Sequence, residues 1–230
     1  MIPMTIDREL LDALAGLLEY PEHDWTDRLD ACERVAAVSV ESVAAPFLAF
    51  REATSMSVDA LQEGYVRIFE LSTDCTLECG FHLFGETYKR GEFLASLREE
   101  EQPYDIGQER QLPDYLPVLL RLIGRLDDDE LRRDLIGACV LPAVEKLQTT
   151  LATKEGPYGA LMTAVAGALE DLLRREIEAA PDAVVAPEAT IAAGTEGEPR
   201  TDGASDAGAE TTFTCSGATA PACAIEHGHA

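Results

Sequence analysis

Nowhere in the 230 residues is there an uninterrupted apolar run near the roughly 18 that a membrane-spanning helix requires, although 46% of the chain is hydrophobic. The sequence therefore predicts no membrane span. The opening segment MIPMTIDRELLDALAGLLEY intersperses acids among its leucines. It lacks the basic leader, continuous apolar stretch and small-residue cleavage site of a secretory signal, so a cytoplasmic location is expected. Cysteine is sparse, with Cys32, Cys75, Cys79, Cys139, Cys215 and Cys223 the full set. In a reducing compartment these read as thiols and not as a disulfide framework.

Positive charge is scarcer still. Against 43 acids stand 18 bases, of which only Lys89, Lys146 and Lys154 are lysines, and the formal net charge is -25. Such a field repels nucleic acid and anionic lipid and attracts cationic partners, so nucleic acid is not an expected ligand. Two readings of the charge remain open. One is solvation in a high-salt cytoplasm, a halophilic adaptation; the other is a groove for a basic peptide. The acids are spread along the whole chain, which favours solvation as the main source.

The motifs that announce catalysis are also missing: there is no glycine-rich phosphate loop, no G-x-S-x-G and no H-E-x-x-H. The carboxylate runs Glu99–Glu101 and Asp127–Asp129 read as solvated faces, because acid–base work needs a buried, shifted carboxyl and not a plentiful one. The expectation is a protein that is not an enzyme; a hydrolase or transferase with an unadvertised acidic site is the reading this sets aside.

What is present is helical periodicity. Ile6, Leu10, Leu11, Leu14, Leu17 and Leu18 form one face of a first helix, with Thr5 a cap and Pro21 a stop. Trp25, Leu29, Cys32, Val35 and Ala36 mark a second helix, and Val43, Phe47, Leu48 and Phe50 a third with Pro46 near its first turn. Ser57 can cap a fourth, whose Leu61, Tyr65, Ile68 and Phe69 face inward. A fifth helix is expected from about residue 76 to 101 with a break at Gly85. Others are expected over 116–126, 129–151 and 158–179. No stretch alternates with period two, so the fold class is all-α, a single helical bundle over residues 1–179. Residues 180–230, rich in Ala, Gly, Thr and Glu with eight acids and one arginine, are too poor in large apolar groups to offset ordering entropy. They are expected to form a disordered acidic tail.

Two groups of side chains have metal-ligand chemistry. Cys75, Cys79 and His82 would share one face of a continuous helix. In the tail, Cys215, Cys223, His227 and His229 have the types and number of a four-ligand zinc site, although their spacing matches no known finger. A metal-binding or metal-delivery protein is therefore the alternative function. The plainer reading is buried thiols, a hydrogen-bonded histidine and an incidental tail.

Between Tyr65 and Ile123 the chain carries the pattern L-x4-H-x2-G-E-x3-R-G, as Leu77, His82, Gly85, Glu86, Arg90 and Gly91. The run L-P-D-x-L-P follows as Leu112, Pro113, Asp114, Tyr115, Leu116 and Pro117. In these residues it resembles the NarJ branch of the NarJ/TorD/DmsD family of molybdoenzyme maturation chaperones. The resemblance implies a helical bundle of the TorD/NarJ-like type. It also implies a cytoplasmic chaperone for the apo catalytic subunit of a molybdenum oxidoreductase such as a nitrate reductase, or another enzyme of the DMSO-reductase family. Such a chaperone holds no stable cofactor itself. Its client receives molybdopterin guanine dinucleotide, and the client's N-terminal peptide is a second expected partner.

An amphipathic client segment would lay its apolar face between helices while its bases meet carboxylates at the rim. The residues expected to touch it are His82, Glu86, Arg90, Asp114, Tyr115, Tyr65, Phe84 and Tyr88, with Phe69 and Phe81 as further aromatic contacts. Structural roles compete for the same side chains: a Glu86–Arg90 helix pair, Asp114 as cap of the next helix, and Gly85 and Gly91 as sites of bending or close packing.

Overall fold

Helices form where the apolar spacing places them, and ten succeed one another in a computed structural model of the chain. The structure describes residues 4–179, except the side chains of residues 4–6 and 108. The expected Thr5 cap, the Ile6 contact, the acidic tail and the group Cys215, Cys223, His227 and His229 lie outside the described residues.

The helices are α1 (Met4–Leu18), α2 (Trp25–Ala36), α3 (Glu41–Ala53), α4 (Val58–Tyr65), α5 (Cys79–Phe84), α6 (Tyr88–Glu101), α7 (Leu116–Ile123), α8 (Asp129–Asp134), α9 (Leu141–Leu151) and α10 (Tyr158–Ala179). Among the described residues the only β pairing is an isolated antiparallel bridge between Glu78 and Tyr115. The all-α expectation holds.

Helix α7 is the centre. Seven of its eight residues are buried, and the exception, Arg121, reaches out to Glu19 Oε1 at 2.7 Å. One side of the bundle packs α1 on α7 and α2, and the other packs α10 on α3 and α9. The crossing of α3 and α10 is close because Gly167 faces the Ser42 backbone; a Cβ there would stand 2.4 Å from the Ser42 carbonyl oxygen. A buried aromatic cluster joins α3, α4 and α10, with Tyr158 against Phe69 (ring centroids 4.9 Å), Tyr65 (6.0 Å) and Phe50 (6.1 Å).

Scarce arginines tie distant elements together. Arg125 grips both oxygens of Asp12 at 2.6 and 3.0 Å, and Arg175 grips both of Asp7 at 3.0 and 2.6 Å. Buried Arg132 bonds Glu176 and the Leu126 carbonyl.

Several local expectations need correction. The segment 76–101 begins only at Cys79, while its expected break does fall at Gly85, whose φ of +61° ends α5. The stretch 129–151 contains a π-helical segment, Leu135–Val140, immediately before Pro142. Pro142 cannot donate, and its ring crowds the carbonyl four residues back, so the wider turn accommodates it. A π-helical turn, Val66–Glu70, likewise ends α4, closed by Leu71 N–H donating to the Val66 carbonyl at 2.9 Å. Leu48, expected inside, is exposed, being one residue off the inward face that Phe47 and Phe50 occupy.

Candidate client-binding site

The two sequence runs that carry the resemblance are brought together by backbone. Cys79 N–H donates to the Asp114 carbonyl at 2.7 Å, and Leu116 N–H to the Leu77 carbonyl at 2.8 Å. On this bridge sits a buried ionic junction. Arg90 donates to Asp114 Oδ2 at 2.9 Å and to Glu78 Oε2 at 2.7 Å, while its guanidinium carbon stands 5.8 Å from the Phe81 ring centroid. Asp114 is fully buried. Burial pushes its carboxyl up from the usual range, and Arg90 opposes that only in part. Gly80 makes room for it, since a Cβ there would lie 2.7 Å from Asp114 Oδ2 and 3.1 Å from Phe93 Cδ1.

On one side of the junction lies a groove of about 740 Å³. Its walls are the segment after α1 (Glu19, Tyr20, Glu22), the end of α4 with its π-helical turn (Tyr65, Phe69, Glu70), the strand-like residues Thr76–Glu78 and Tyr115, and the turn around Gly107–Gln111. The floor is aromatic. Tyr65 Oη donates to the Leu18 carbonyl at 3.1 Å, which leaves Tyr115 as the donor in the 3.2 Å hydroxyl pair between the two tyrosines. Burial raises both phenols above their ordinary value, so they remain neutral donors.

The rim carries Glu19, Glu22, Glu70 and Glu78 against Arg28 and Arg110. Glu19 is held by Arg121, and Glu78 by Arg90. Among the described residues neither Glu22 nor Glu70 is in an ion pair, and Glu70 is exposed. Two carboxylates without a base thus face an aromatic floor, an arrangement suited to a partner that brings both apolar and cationic groups.

On the other side of the junction, the turn from α5 to α6 presents Phe81 and Phe84, both part-exposed, Glu86 and the almost bare Tyr88. His82 is anchored here: its Nε2 donates to the Thr76 carbonyl at 2.7 Å, which fixes the tautomer, and its own carbonyl accepts from Lys146 at 2.6 Å.

The expected contact residues therefore divide. Tyr65 and Tyr115 line the groove; His82, Phe84, Glu86 and Tyr88 belong to the α5–α6 turn; Arg90 and Asp114 lock the two together. Tyr65 and Phe69 are largely buried and act as floor. The Glu86–Arg90 helix pair does not form, because α6 starts at Tyr88 and Arg90 turns toward Asp114 and Glu78. Asp114 does not cap α7, whose cap position is Tyr115. Cys75, Cys79 and His82 share no helical face, since Cys75 sits in a separate 3₁₀ turn (Thr73–Cys75). Among the described residues no three His, Cys, Asp or Glu converge as metal ligands, so this form of the metal reading is overturned. Burial also raises the Cys79 thiol well above its ordinary value, away from the thiolate that binds metal.

Sequence reasoning missed Glu19, Tyr20, Glu22, Glu70 and Glu78. No local pattern marks them in so acidic a chain; only their convergence distinguishes them.

No family profile matches the chain. It is similar to the probable nitrate reductase molybdenum cofactor assembly chaperone NarJ of Bacillus subtilis (strain 168), with 29% identity over 184 residues. That match spans 78% of this chain and 99% of the relative. It is 27% identical over 153 residues to the nitrate reductase molybdenum cofactor assembly chaperone NarJ of Escherichia coli (strain K12), a match covering 64% of each protein. It is 26% identical over 160 residues to the probable chaperone NarW of the same strain, covering 68% of this chain and 66% of that one. The matches thus span just under two thirds of the length of the Escherichia coli relatives.

Proposed function

We propose that this chain, which is similar to the NarJ-type nitrate reductase molybdenum cofactor assembly chaperones, is a non-catalytic maturation chaperone for the apo catalytic subunit of a nitrate reductase. It grips an amphipathic, base-bearing segment of that subunit, its N-terminal peptide, in the groove between α1, α4 and α7. The client is thereby held receptive to molybdopterin guanine dinucleotide, which the chaperone itself does not retain. The work is done in the cytoplasm before the subunit assembles with its partners.

The observation that carries this reading is the groove: an aromatic floor of Tyr20, Tyr65, Phe69 and Tyr115 under a rim on which, among the described residues, Glu22 and Glu70 are in no ion pair. The apolar face of a client helix is desolvated on the floor and supplies most of the affinity. Arginine or lysine side chains reaching Glu22 and Glu70 set orientation and on-rate. Phe84, Glu86 and Tyr88 extend the contact surface beyond the groove, and the Arg90–Asp114–Glu78 junction keeps the two surfaces in register.

The test is calorimetric titration of the full chain with the N-terminal peptide of the catalytic subunit encoded beside it. Binding is expected, and Glu70→Gln should weaken it by roughly two- to fivefold, the range of a single exposed ion pair. The loss should be larger at low salt. Absence of binding to peptide and to whole apo-subunit alike would sink the proposal.

A further inference from the structure

The client groove holds one charged group that a purely basic segment would not satisfy. Arg110, in the turn between α6 and α7, lines it together with Glu19, Glu22, Glu70 and Glu78. The side chain is exposed, and among the described residues it is in no ion pair. Arg28, the other base of the rim, is taken up by Asp24 at 2.8 Å and by the carbonyls of Gly16 and Tyr20 at 3.2 and 3.3 Å. In a chain of 43 acids and 18 bases, a guanidinium that shares a groove with four carboxylates and pairs with none is kept apart from them by the fold.

The turn itself is held in place. Ile106 is buried before it, and Pro113 and Asp114 are buried after it. Between these anchors Gly107 has φ +83°, and the Gln111 carbonyl accepts from Arg98 at 3.3 Å. Glu22 and Glu70 belong to a different wall, formed by the segment after α1 and the end of α4. That wall is tied together by Gln62 donating to the Pro21 carbonyl at 2.8 Å and by Tyr65 donating to the Leu18 carbonyl at 3.1 Å. The rim charges outside ion pairs are therefore sorted by sign, negative on the α1–α4 wall and positive on the α6–α7 turn. Leu112, two residues beyond Arg110, is 43% exposed and gives the turn an apolar surface of its own.

A segment that covers the aromatic floor and Leu112 also draws water away from Arg110. A guanidinium stripped of water without a partner is costly, and its planar fork of donors matches a carboxylate. Resting on the client reading above, we propose that Arg110 is a specificity-determining residue that pairs with a carboxylate of the client segment. The client then carries both signs of charge, with bases at Glu22 and Glu70 and an acid at the α6–α7 turn. This arrangement sets the direction in which the segment lies. A segment with bases alone leaves Arg110 unpaired and repelled, and is disfavoured.

The sign of a mutational effect separates this pair from general electrostatics. Removing a positive charge from an acidic molecule strengthens its long-range attraction for a basic peptide, whereas losing a specific pair weakens binding. The full chain is titrated calorimetrically at low salt with the N-terminal peptide of the catalytic subunit encoded beside it. Arg110→Glu should weaken binding by roughly five- to tenfold, through a lost pair and a new repulsion. Arg34→Glu makes the same charge change at an exposed arginine outside this groove, and it should leave binding unchanged or slightly tighter. Among peptides in which each Asp or Glu is replaced in turn by Lys, one should bind the Arg110→Glu chain more tightly than it binds the unaltered chain. Unaltered or tighter binding in Arg110→Glu overturns the inference alone, as does a weakening that no replacement in the peptide reverses. Failure of the unaltered chain to bind peptide and apo-subunit alike removes the client reading itself, and the inference with it.

Discussion

At the scale of single residues, the acids of this chain are not equivalent, and burial is what separates them. Glu101, the last residue of α6, is fully buried, and burial pushes its carboxyl up to about 7; Arg98 opposes this and Asp114 adds to it. A carboxyl whose folded pKa lies above its unfolded one, 4.5, binds more protons folded than unfolded between those values. Its contribution to stability is therefore complete below about 4.5 and is lost as the pH rises through about 7. Glu101→Gln, a mimic of the protonated form, should leave the melting temperature unchanged at pH 4.5 and raise it by several degrees at pH 8. Thermal melts of both proteins at the two pH values decide it, and an equal shift at both would refute the assignment. Asp114 is also fully buried, but it faces a guanidinium. Asp114→Asn removes one of two carboxylates from Arg90 and leaves Glu78. The cost should fall near 1–3 kcal/mol, below the 3–5 typical of breaking an isolated buried pair. Chemical denaturation measures this directly.

At the scale of elements, the crossing of α3 and α10 sets two effects against each other. Alanine is a better helix former than glycine by about 1 kcal/mol, so Gly167→Ala would stabilise an isolated α10. In the bundle the new methyl would meet the Ser42 carbonyl oxygen at 2.4 Å and its carbon at 2.8 Å. Backbone cannot move aside as a flexible side chain can, and overpacking of this kind costs about 1–3 kcal/mol. The clash should win: Gly167→Ala is expected to lower the melting temperature, and a rise would show that the two helices are free to separate. The break between α5 and α6 follows from similar reasoning. Gly85 at φ +61° ends one helix and redirects the chain, so Glu86 and Tyr88 project around the turn while Arg90, in the first turn of α6, points back to Asp114.

At the scale of the whole molecule, charge is the dominant property. Of the few bases, the arginines at 90, 121, 125, 132 and 175 each bridge elements far apart in sequence, and the surplus acids are left to repel one another. Self-repulsion in a chain of net charge -25 is screened by salt, with a Debye length of about 8 Å at physiological ionic strength and 3 Å at 1 M. The melting temperature should therefore rise as potassium chloride increases from about 0.01 M to 1 M. Indifference to salt would remove the case for high-salt adaptation. The same screening should weaken the proposed client binding, so stability and affinity are expected to respond to salt in opposite directions.

Sequence alone determined the all-helical class, the approximate span of most helices and, Leu48 apart, the inward faces of the first four, because the 3.6-residue period of apolar side chains is a local signal. It also brought out the two runs around His82 and Asp114, because their spacing is visible along the chain. Whether Glu86 or Glu78 would be the partner of Arg90, whether Tyr65 would face solvent or form a floor, and that Glu22 and Glu70 line one groove with no ion pair among the described residues were decided only by tertiary structure. These depend on contacts across tens of residues, on the backbone bridge between Glu78 and Tyr115 and on the turn at Gly85. In a chain with so many carboxylates, composition cannot tell a solvated acid from one that waits for a partner; burial and proximity can.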